Sequence, residues 1–144
     1  MRDDLHTAVA ERLRGSGQRY TSNRRALVEV LADADRPLTI PEVLAGRDVP
    51  QSSAYRNVAV LEETGVLHRV TSTDEFGRFE LAEDITDHHH HLLICAACGD
   101  VADFTVSQHL ESALEEAMRE VADGSGFTPE HHRLDLLGRC RRCG

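Results

Sequence analysis

Twelve consecutive residues read HHHHLLICAACG, from His88 to Gly99, and place four histidines just ahead of a Cys-x-x-Cys pair. The chain ends on a second such pair, so its four cysteines form two pairs: Cys95, Cys98, Cys140 and Cys143. Each pair can hold one ion from a single turn, and two pairs supply the four thiolates of a tetrahedral structural zinc site. We therefore predict that Zn²⁺ joins the two pairs.

Two disulfides in a secreted protein are the alternative for these cysteines. The chain begins without the charged and then apolar leader of a secreted precursor, and the cysteines have metal-ligand spacing. No apolar stretch approaches the length of a membrane span. The sequence thus predicts a reduced, cytoplasmic protein without a membrane segment.

The charge of the chain is uneven. The 144 residues have a formal net charge of −9, which argues against nonspecific adhesion to nucleic acid. Residues 1–70 carry ten arginines against ten acidic residues, and residues 71–144 carry six against fifteen. All sixteen basic residues are arginine, which grips phosphate and guanine edges with paired hydrogen bonds. The absence of lysine fits a GC-rich genome equally well, so DNA contact stays open on charge alone.

The amino-terminal half begins with two predicted helices. The first is amphipathic and ends at Gly15. Thr21 can cap the second, which carries Arg24 and Arg25 in its first turn, where basic side chains oppose the helix dipole. Contact with DNA phosphate would explain this placement, and a solvated face is the alternative.

A helix-turn-helix follows. The sequence TIPE at 39–42 is a capping box with proline in the first turn, and it begins a short third helix. After a turn at 48–50, a fourth helix runs from Ser52 to Gly65. The start of such a helix meets base edges and phosphates. It offers five polar side chains: Ser52, Ser53, Tyr55, Arg56 and Asn57.

Residues 66–70 and 78–81 predict two short strands joined by a polar turn, which would form a wing behind the recognition helix. The acidic segment 82–87 predicts a hinge. We therefore divide the chain into a winged-helix DNA-binding domain at 1–81, this hinge, and a metal-binding dimerisation domain at 88–144.

The second domain is predicted to be a small α/β unit, which makes the whole chain α+β. Strands at 91–94, 101–104 and 134–137 surround one helix with an apolar rhythm from Leu110 to Val121. Such a thin unit needs zinc, which contributes roughly 10 to 16 kcal/mol apparent in small sites, against about 5 to 15 kcal/mol for the stability of a typical domain. The apolar edge left over predicts pairing with a second subunit.

The four histidines divide into two pairs if the tract is extended. Side chains alternate along a strand, so His88 and His90 point one way while His89 and His91 point the other. They can thus serve two metal sites. In a helix only His88 and His91 would lie together, and an accidental, solvated tract is the remaining alternative.

In their order and spacing these features resemble the ferric uptake regulator family of bacterial metal-sensing repressors. RYTSNR at 19–24 is similar to the family's Arg-x-Thr-x-x-Arg entry to the second helix, and SAYRN at 53–57 resembles its Thr-Val-Tyr-Arg recognition helix. LEETG at 61–65, the histidine tract and the two cysteine pairs complete a likeness that spans nearly the whole chain. The entry motif adds three candidate DNA contacts: Arg19, Thr21 and Arg24.

The resemblance implies a homodimeric repressor that binds double-stranded operator DNA, takes a divalent metal as corepressor and controls metal homeostasis genes. It also implies two metal sites besides the cysteines. The regulatory site would draw on His68, Glu80, His89, His91 and Asp103. An additional site would use His88, His90, Glu111 and His132, with His132 preferred to His131 because it lies eight positions before Cys140.

Two departures from the family pattern bear on these ligands. Pro37 stands where many members carry a histidine ligand, and His68 is its expected replacement. Three residues, 92–94, separate His91 from Cys95 where the family commonly has two. One extra residue inverts the facing of a strand unless a bulge absorbs it, so the division of the histidines given above requires a bulge.

The sequence does not decide which metal is sensed, and it leaves two other functional classes to consider. Nitrogen and oxygen ligands admit Fe²⁺, Zn²⁺, Mn²⁺ and Ni²⁺, with Fe²⁺ or Zn²⁺ expected first, and peroxide sensing through iron-catalysed histidine oxidation is an open alternative. A metal-dependent hydrolase or a metal-buffering protein would also use such ligands. The chain has no His-Glu-x-x-His helix, nucleophile elbow or glycine-rich phosphate loop, so we expect neither an enzyme nor an organic cofactor. A buffering protein would not explain the helix-turn-helix.

Overall fold

The computed structural model describes residues 2–47 and 49–144, and Asp48, in the predicted turn at 48–50, lies outside the described residues. The helices are α1 Arg2–Gly15, α2 Ser22–Asp33, α3 Ile40–Leu44, α4 Gln51–Glu63, α5 Glu83–Thr86 and α6 Gln108–Ser125. The strands are β1 Leu67–Thr71, β2 Gly77–Leu81, β3 His91–Cys95, β4 Val101–Phe104 and β5 Asp135–Gly138. The predicted α+β class is confirmed.

Side-chain caps begin α2 and α3 where the sequence predicts them. Thr21 Oγ1 accepts a hydrogen bond from the Arg24 N–H at 3.2 Å. Thr39 and Glu42 form the reciprocal capping box, since each side chain accepts from the other's backbone N–H. Such caps satisfy amides that have no partner within the helix. The start of α3, the first helix of the helix-turn-helix, is thereby fixed locally.

One apolar core joins the first four helices to the wing. Buried side chains of α2 and α4 face each other across it, among them Leu27, Val28, Val58 and Leu61. Strands β1 and β2 pair antiparallel and form the wing, and an isolated bridge joins Leu38, ahead of α3, to the second wing strand. The recognition helix α4 therefore packs on α2, α3 and the first wing strand.

The segment predicted to be a hinge contains a helical turn, α5, that packs on the first domain. Ile85 is 8% exposed and belongs to the apolar core of that domain. Asp84 pairs with Arg12 of α1 at 2.9 Å. The chain then turns at Asp87, whose φ of 59° is left-handed. The change of direction between the two halves thus falls at the end of 82–87.

The second domain is a three-stranded sheet, ordered β4-β3-β5, with α6 in the connection from β4 to β5. β3 runs antiparallel to β4 and parallel to β5. An apolar surface is left exposed on α6 and β5: Leu110, Met118, Val121, Leu136 and Leu137. The sheet holds the histidine tract at the start of its central strand and the first cysteine pair at its end.

None of the described helices is both long enough and apolar enough to cross a membrane.

Candidate metal centres and nucleic-acid interface

The four cysteines converge at one end of the sheet. Cys95 ends β3 and Cys140 follows β5, and the parallel pairing of these strands brings the two Cys-x-x-Cys turns together. Their four Sγ atoms lie within 4.8 Å of one another, with Cys98 and Cys140 Sγ 3.8 Å apart. All four are unpaired thiols. This donor set fits a structural zinc site.

Backbone amides prepare Cys95 to be a thiolate. The N–H groups of Cys98 and Cys140 donate to its Sγ at 3.5 and 3.3 Å. These bonds lower the pKa of the Cys95 thiol to about 5. Hydrogen bonds with Cys140 and Cys98 instead raise the pKa of Cys143 to about 12. Zinc held by these four cysteines would release their remaining thiol protons.

A second group, which we call the inner cluster, consists of His89, His91, Glu111 and His132. Glu111 stands in the first turn of α6, and its two oxygens are shared among the three rings. Its Oε1 lies 2.6 Å from Nε2 of His132 and 2.8 Å from Nε2 of His89. Its Oε2 lies 2.9 Å from Nε2 of His91. Burial raises the pKa of Glu111, but the hydrogen bonds from His91 and His132 outweigh burial and lower it.

His91 has a distinct place in the inner cluster. Its side chain is 0% exposed, and its Nδ1 accepts a hydrogen bond from the Leu134 N–H at 3.2 Å. A neutral imidazole that accepts at Nδ1 carries its proton on Nε2, so His91 donates to Glu111. In this tautomer His91 orients the carboxylate, and three groups have lone pairs for an ion: His89, Glu111 and His132.

A third group, the interdomain cluster, consists of Glu80, His90 and Asp103. Glu80 comes from the wing strand β2, and the other two come from the second domain. His90 Nε2 lies 2.7 Å from Glu80 Oε2 and 3.5 Å from Asp103 Oδ1. The hydrogen bond to Glu80 raises the pKa of His90 against the opposing effect of burial.

Asp103 provides the test of whether a cation fits the interdomain cluster. Its Oδ1 is buried and has no hydrogen-bond partner within residues 2–47 and 49–144. Burial raises the pKa of Asp103 to about 6. A buried carboxylate oxygen without a donor is costly, and a cation held jointly with Glu80 and His90 would satisfy it. The nitrogen and oxygen atoms here therefore fit a divalent metal.

The structure groups the histidine tract in the opposite way from the sequence prediction. His90, and not His89 or His91, lies with Glu80, while His89 and His91 lie with Glu111 and His132. The register of β3 with β4 runs without interruption from His91 to Ile94, so no bulge absorbs the extra residue. Every side chain ahead of the cysteines therefore faces the other side of the sheet.

Two residues predicted as ligands lie outside the three clusters, His68 and His88. His68 is exposed, and its Nε2 lies 3.3 Å from a guanidinium nitrogen of Arg133. His88 is exposed, and its backbone N–H donates to Thr86 Oγ1 at 3.4 Å. Both line the cleft beside Glu80 and His89, without joining the ligand atoms of either group. The exposed His131 is likewise outside the three clusters, whereas His132 belongs to the inner cluster.

Sequence reasoning missed Glu83 of α5. Its Oε1 lies 3.0 Å from Nδ1 of His89. Burial lowers the pKa of His89, but the hydrogen bond to Glu83 and the charge of Glu111 outweigh burial and raise it. The only signal was an acidic residue in a segment of acidic residues, which is typical of a solvated linker. Glu83 connects the inner cluster to the predicted hinge.

The recognition helix α4 presents its polar residues in two ways. Tyr55 is 47% exposed, and Arg56 is exposed beside it. Asn57 is half-buried and accepts a hydrogen bond from Arg24 Nε at 2.9 Å, while Arg24 NH1 donates to the Arg19 carbonyl at 2.8 Å. Arg24 thus ties α2 to α4. Four other residues that were predicted to contact DNA are exposed or partly exposed: Arg19, Thr21, Ser52 and Ser53.

The structure combines an exposed recognition helix with a wing, and the wing contributes a carboxylate to a cluster that also contains a histidine of the second domain. These features define the class of DNA-binding regulators that respond to metal. The chain belongs to the ferric uptake regulator family: the sequence model of that family matches residues 15–137. The chain is accordingly a metal-responsive transcriptional repressor that binds DNA.

Individual relatives agree with this assignment. The peroxide-responsive repressor PerR of Staphylococcus aureus is 30% identical over 145 residues, which cover 97% of this chain and 91% of PerR. The ferric uptake regulator of Vibrio cholerae has a TM-score of 0.68 and 26% identity, covering 89% of this chain and 96% of that chain. The ferric uptake regulator of Pseudomonas aeruginosa, solved with manganese, has a TM-score of 0.69 and 26% identity, with coverages of 90% and 95%.

Proposed function

We propose that this repressor is switched by a divalent metal in the interdomain cluster, which holds the wing against the second domain. The observation that carries the proposal is the position of Glu80, a wing residue, beside His90 and Asp103 of the other domain. The metal supplies a positive charge that both carboxylates can share. With Glu80 fixed, the base of the wing is fixed, and with it the recognition helix. In a homodimer this sets the separation of the two recognition helices, which must match successive half-sites on DNA.

The inner cluster has a supporting role in this proposal. His89, Glu111 and His132 hold a second ion, and His91 orients Glu111. Because His89 also contacts Glu83 of α5, this ion would brace the segment from which the hinge pivots. The exposed apolar surface of α6 and β5 would pack against the second subunit of the homodimer.

The donor sets favour different metals at the two clusters. The interdomain cluster offers one nitrogen and two carboxylates, which suits Fe²⁺ or Mn²⁺. The inner cluster is richer in imidazole, which suits Zn²⁺, Fe²⁺ or Ni²⁺. Shifting a dimer from 1:99 to 99:1 in the binding form takes roughly 5.5 kcal/mol of differential metal affinity. The two ions bound by each subunit would together supply this difference in affinity.

The test is fluorescence anisotropy of the DNA upstream of the chain's own gene. Protein that retains only its structural zinc is titrated without oxygen with Fe²⁺, Mn²⁺, Zn²⁺ and Ni²⁺ in turn. We expect binding to be switched on by one metal at the lowest free concentration. Equal DNA binding without added metal would remove the histidine clusters from the switch.

His90→Ala is expected to weaken metal-dependent DNA binding by about tenfold or more, because it removes the only nitrogen of the interdomain cluster. His88→Ala is the matched control, since His88 lies two positions away in the same tract and is exposed. The anisotropy titration of both variants gives the answer. Equal losses in the two variants would contradict the assignment of His90.

Arg56→Ala is expected to raise the Kd for the operator by about tenfold to 100-fold, corresponding to roughly 1 to 3 kcal/mol for a base-edge contact. The same change at Arg119, which is exposed on α6 of the second domain, removes an equal charge as a control. Binding curves at one fixed salt concentration compare the two. The same small loss in both would mean that Arg56 acts only through net charge.

Peroxide response is a second candidate, favoured by the similarity to a relative named as a peroxide-responsive repressor. In this case hydrogen peroxide would transfer one oxygen atom to a histidine ring beside bound Fe²⁺, leaving water. We expect a gain of one oxygen mass on a peptide from the tract and loss of DNA binding. Unmodified histidines after peroxide treatment would exclude this candidate.

We further infer that the DNA-binding domain spans 1–81, the hinge 82–87 and the dimerisation domain 88–144. We also infer that the protein is cytoplasmic and that it acts by binding DNA and not by catalysis. The packing of α5 on the first domain supports a pivot near Asp87. The printed names of the relatives are those of regulators. The DNA that such a regulator binds lies in the bacterial cytoplasm.

A further inference from the structure

The tip of the wing, residues 72–76, lies on the turn that carries the first cysteine pair. Ser72 Oγ donates to the carbonyl oxygen of Gly99 at 2.6 Å, and Thr73 Oγ1 donates to the carbonyl oxygen of Cys95 at 2.8 Å. The Cys95 carbonyl also accepts from the Gly99 N–H at 3.0 Å, the bond that closes the turn. Two wing hydroxyls therefore bind the backbone of the turn that presents these cysteines to zinc.

Asp74 reinforces this contact through its fit against Gly99. Gly99 is buried with a φ of +82°, and a Cβ there would lie 2.3 Å from Asp74 Oδ2, so the approach requires glycine. Arg78 holds the Asp74 carboxylate with two hydrogen bonds of 2.7 and 3.0 Å. The Arg78 side chain is itself buried, so Asp74 is fixed in place against the turn.

An apolar contact continues the attachment below the tip. Val70 of the wing packs with Leu92, Ile94 and Val101 of the sheet in a small buried cluster, separate from the core of the first domain. The wing is thus joined to the second domain at its tip, in its middle and, through Glu80, at its base. The hydrogen bonds at the tip and the apolar contact of Val70 involve no atom of the interdomain cluster.

We propose that Ser72, Thr73 and Asp74 position the wing on the zinc turn, so that the placement of the wing is coupled to the integrity of the four-cysteine site. A turn held by zinc presents the carbonyls of Cys95 and Gly99 at fixed positions for the two hydroxyls. By linkage the wing must then stabilise the zinc-bound turn to the same extent. This coupling goes beyond the proposed switch because it operates without metal in either histidine cluster.

The test uses the full chain carrying Ser72→Ala and Thr73→Val together, loaded with one zinc ion per chain for the four-cysteine site and with no other metal and no DNA. Competition with a chelator of known affinity gives the zinc Kd, and hydrogen exchange read by mass spectrometry gives the protection of residues 67–81. We expect a zinc Kd about threefold to tenfold higher and faster wing exchange, because two hydrogen bonds of modest net value are lost. Thr71→Val removes an exposed hydroxyl one residue before the tip and should leave both measurements at their wild-type values.

Thr73→Ser, in a chain with Ser72 intact, keeps both hydroxyls and is expected to restore zinc affinity and wing protection. This rescue separates hydrogen bonding from a general disturbance of the loop. A wild-type zinc Kd together with wild-type wing exchange in the double variant would overturn the proposal, as would failure of the Thr73→Ser rescue. Failure of the metal switch at the interdomain cluster would leave these results unchanged, since neither measurement involves that metal.

Discussion

Replacement of Cys95 by serine is expected to unfold the second domain and abolish the dimer. Structural zinc contributes roughly 10 to 16 kcal/mol apparent in small sites, which is as large as the whole stability of an ordinary domain. Few other interactions hold the domain together, because its sheet has three short strands and most of α6 is exposed. Cys95 is also the thiol that receives two backbone N–H groups, so its loss removes the centre of the site.

Zinc content, circular dichroism and analytical ultracentrifugation together measure this effect. Ala97→Ser is the control, because it introduces the same side chain at an exposed, non-ligand position of the same turn. The first domain should keep its helices, since its core is separate. A folded, dimeric and zinc-free Cys95→Ser protein would show that the four cysteines do not form a structural zinc site.

His132→Ala is expected to weaken metal binding at the inner cluster by at least about tenfold to 100-fold, the loss typical when even an outer-shell partner of a metal site is removed. His132 Nε2 lies 2.6 Å from Glu111 Oε1 and 3.3 Å from His89 Nε2, so it stands at the centre of the group. Its side chain is partly buried beside Glu111.

His131→Ala is a closely matched control for this variant. His131 is the adjacent residue, has the same side chain and is exposed outside the clusters of the described residues. Calorimetric titration of zinc-retaining protein with Mn²⁺, Zn²⁺ and Ni²⁺ compares the two variants, and the structural zinc content must be equal in both. Equal metal affinity for His131→Ala and His132→Ala would contradict a metal role for the inner cluster.

Local features of the fold could be predicted from the sequence. The caps at Thr21 and Thr39, the apolar rhythm of α6 and the two cysteine pairs each depend on residues a few positions apart. Helix capping and turn chemistry act over that distance, so the pattern of residues is sufficient. The winged helix and the α/β second domain followed from the order of these elements.

Contacts between distant segments could not be predicted in the same way. The predicted hinge at 82–87 is docked on the first domain, and its one large apolar residue, Ile85, was the signal for this packing. Arg24 has the position of a phosphate contact in the sequence, yet its guanidinium is engaged with Asn57, 33 residues away. Side chains with several hydrogen-bond donors find partners that only the folded chain brings close.

The sequence by itself determined that this chain is a winged-helix member of a metal-responsive repressor family with four cysteines that fit a structural zinc site, because these features depend on motifs of neighbouring residues. Only the tertiary structure decided which histidines share a site. The side to which a strand residue points depends on its register with the neighbouring strand, and the uninterrupted pairing of β3 with β4 sends His90 toward the wing and His89 and His91 toward Glu111. A shift of one residue in that pairing would exchange the two clusters.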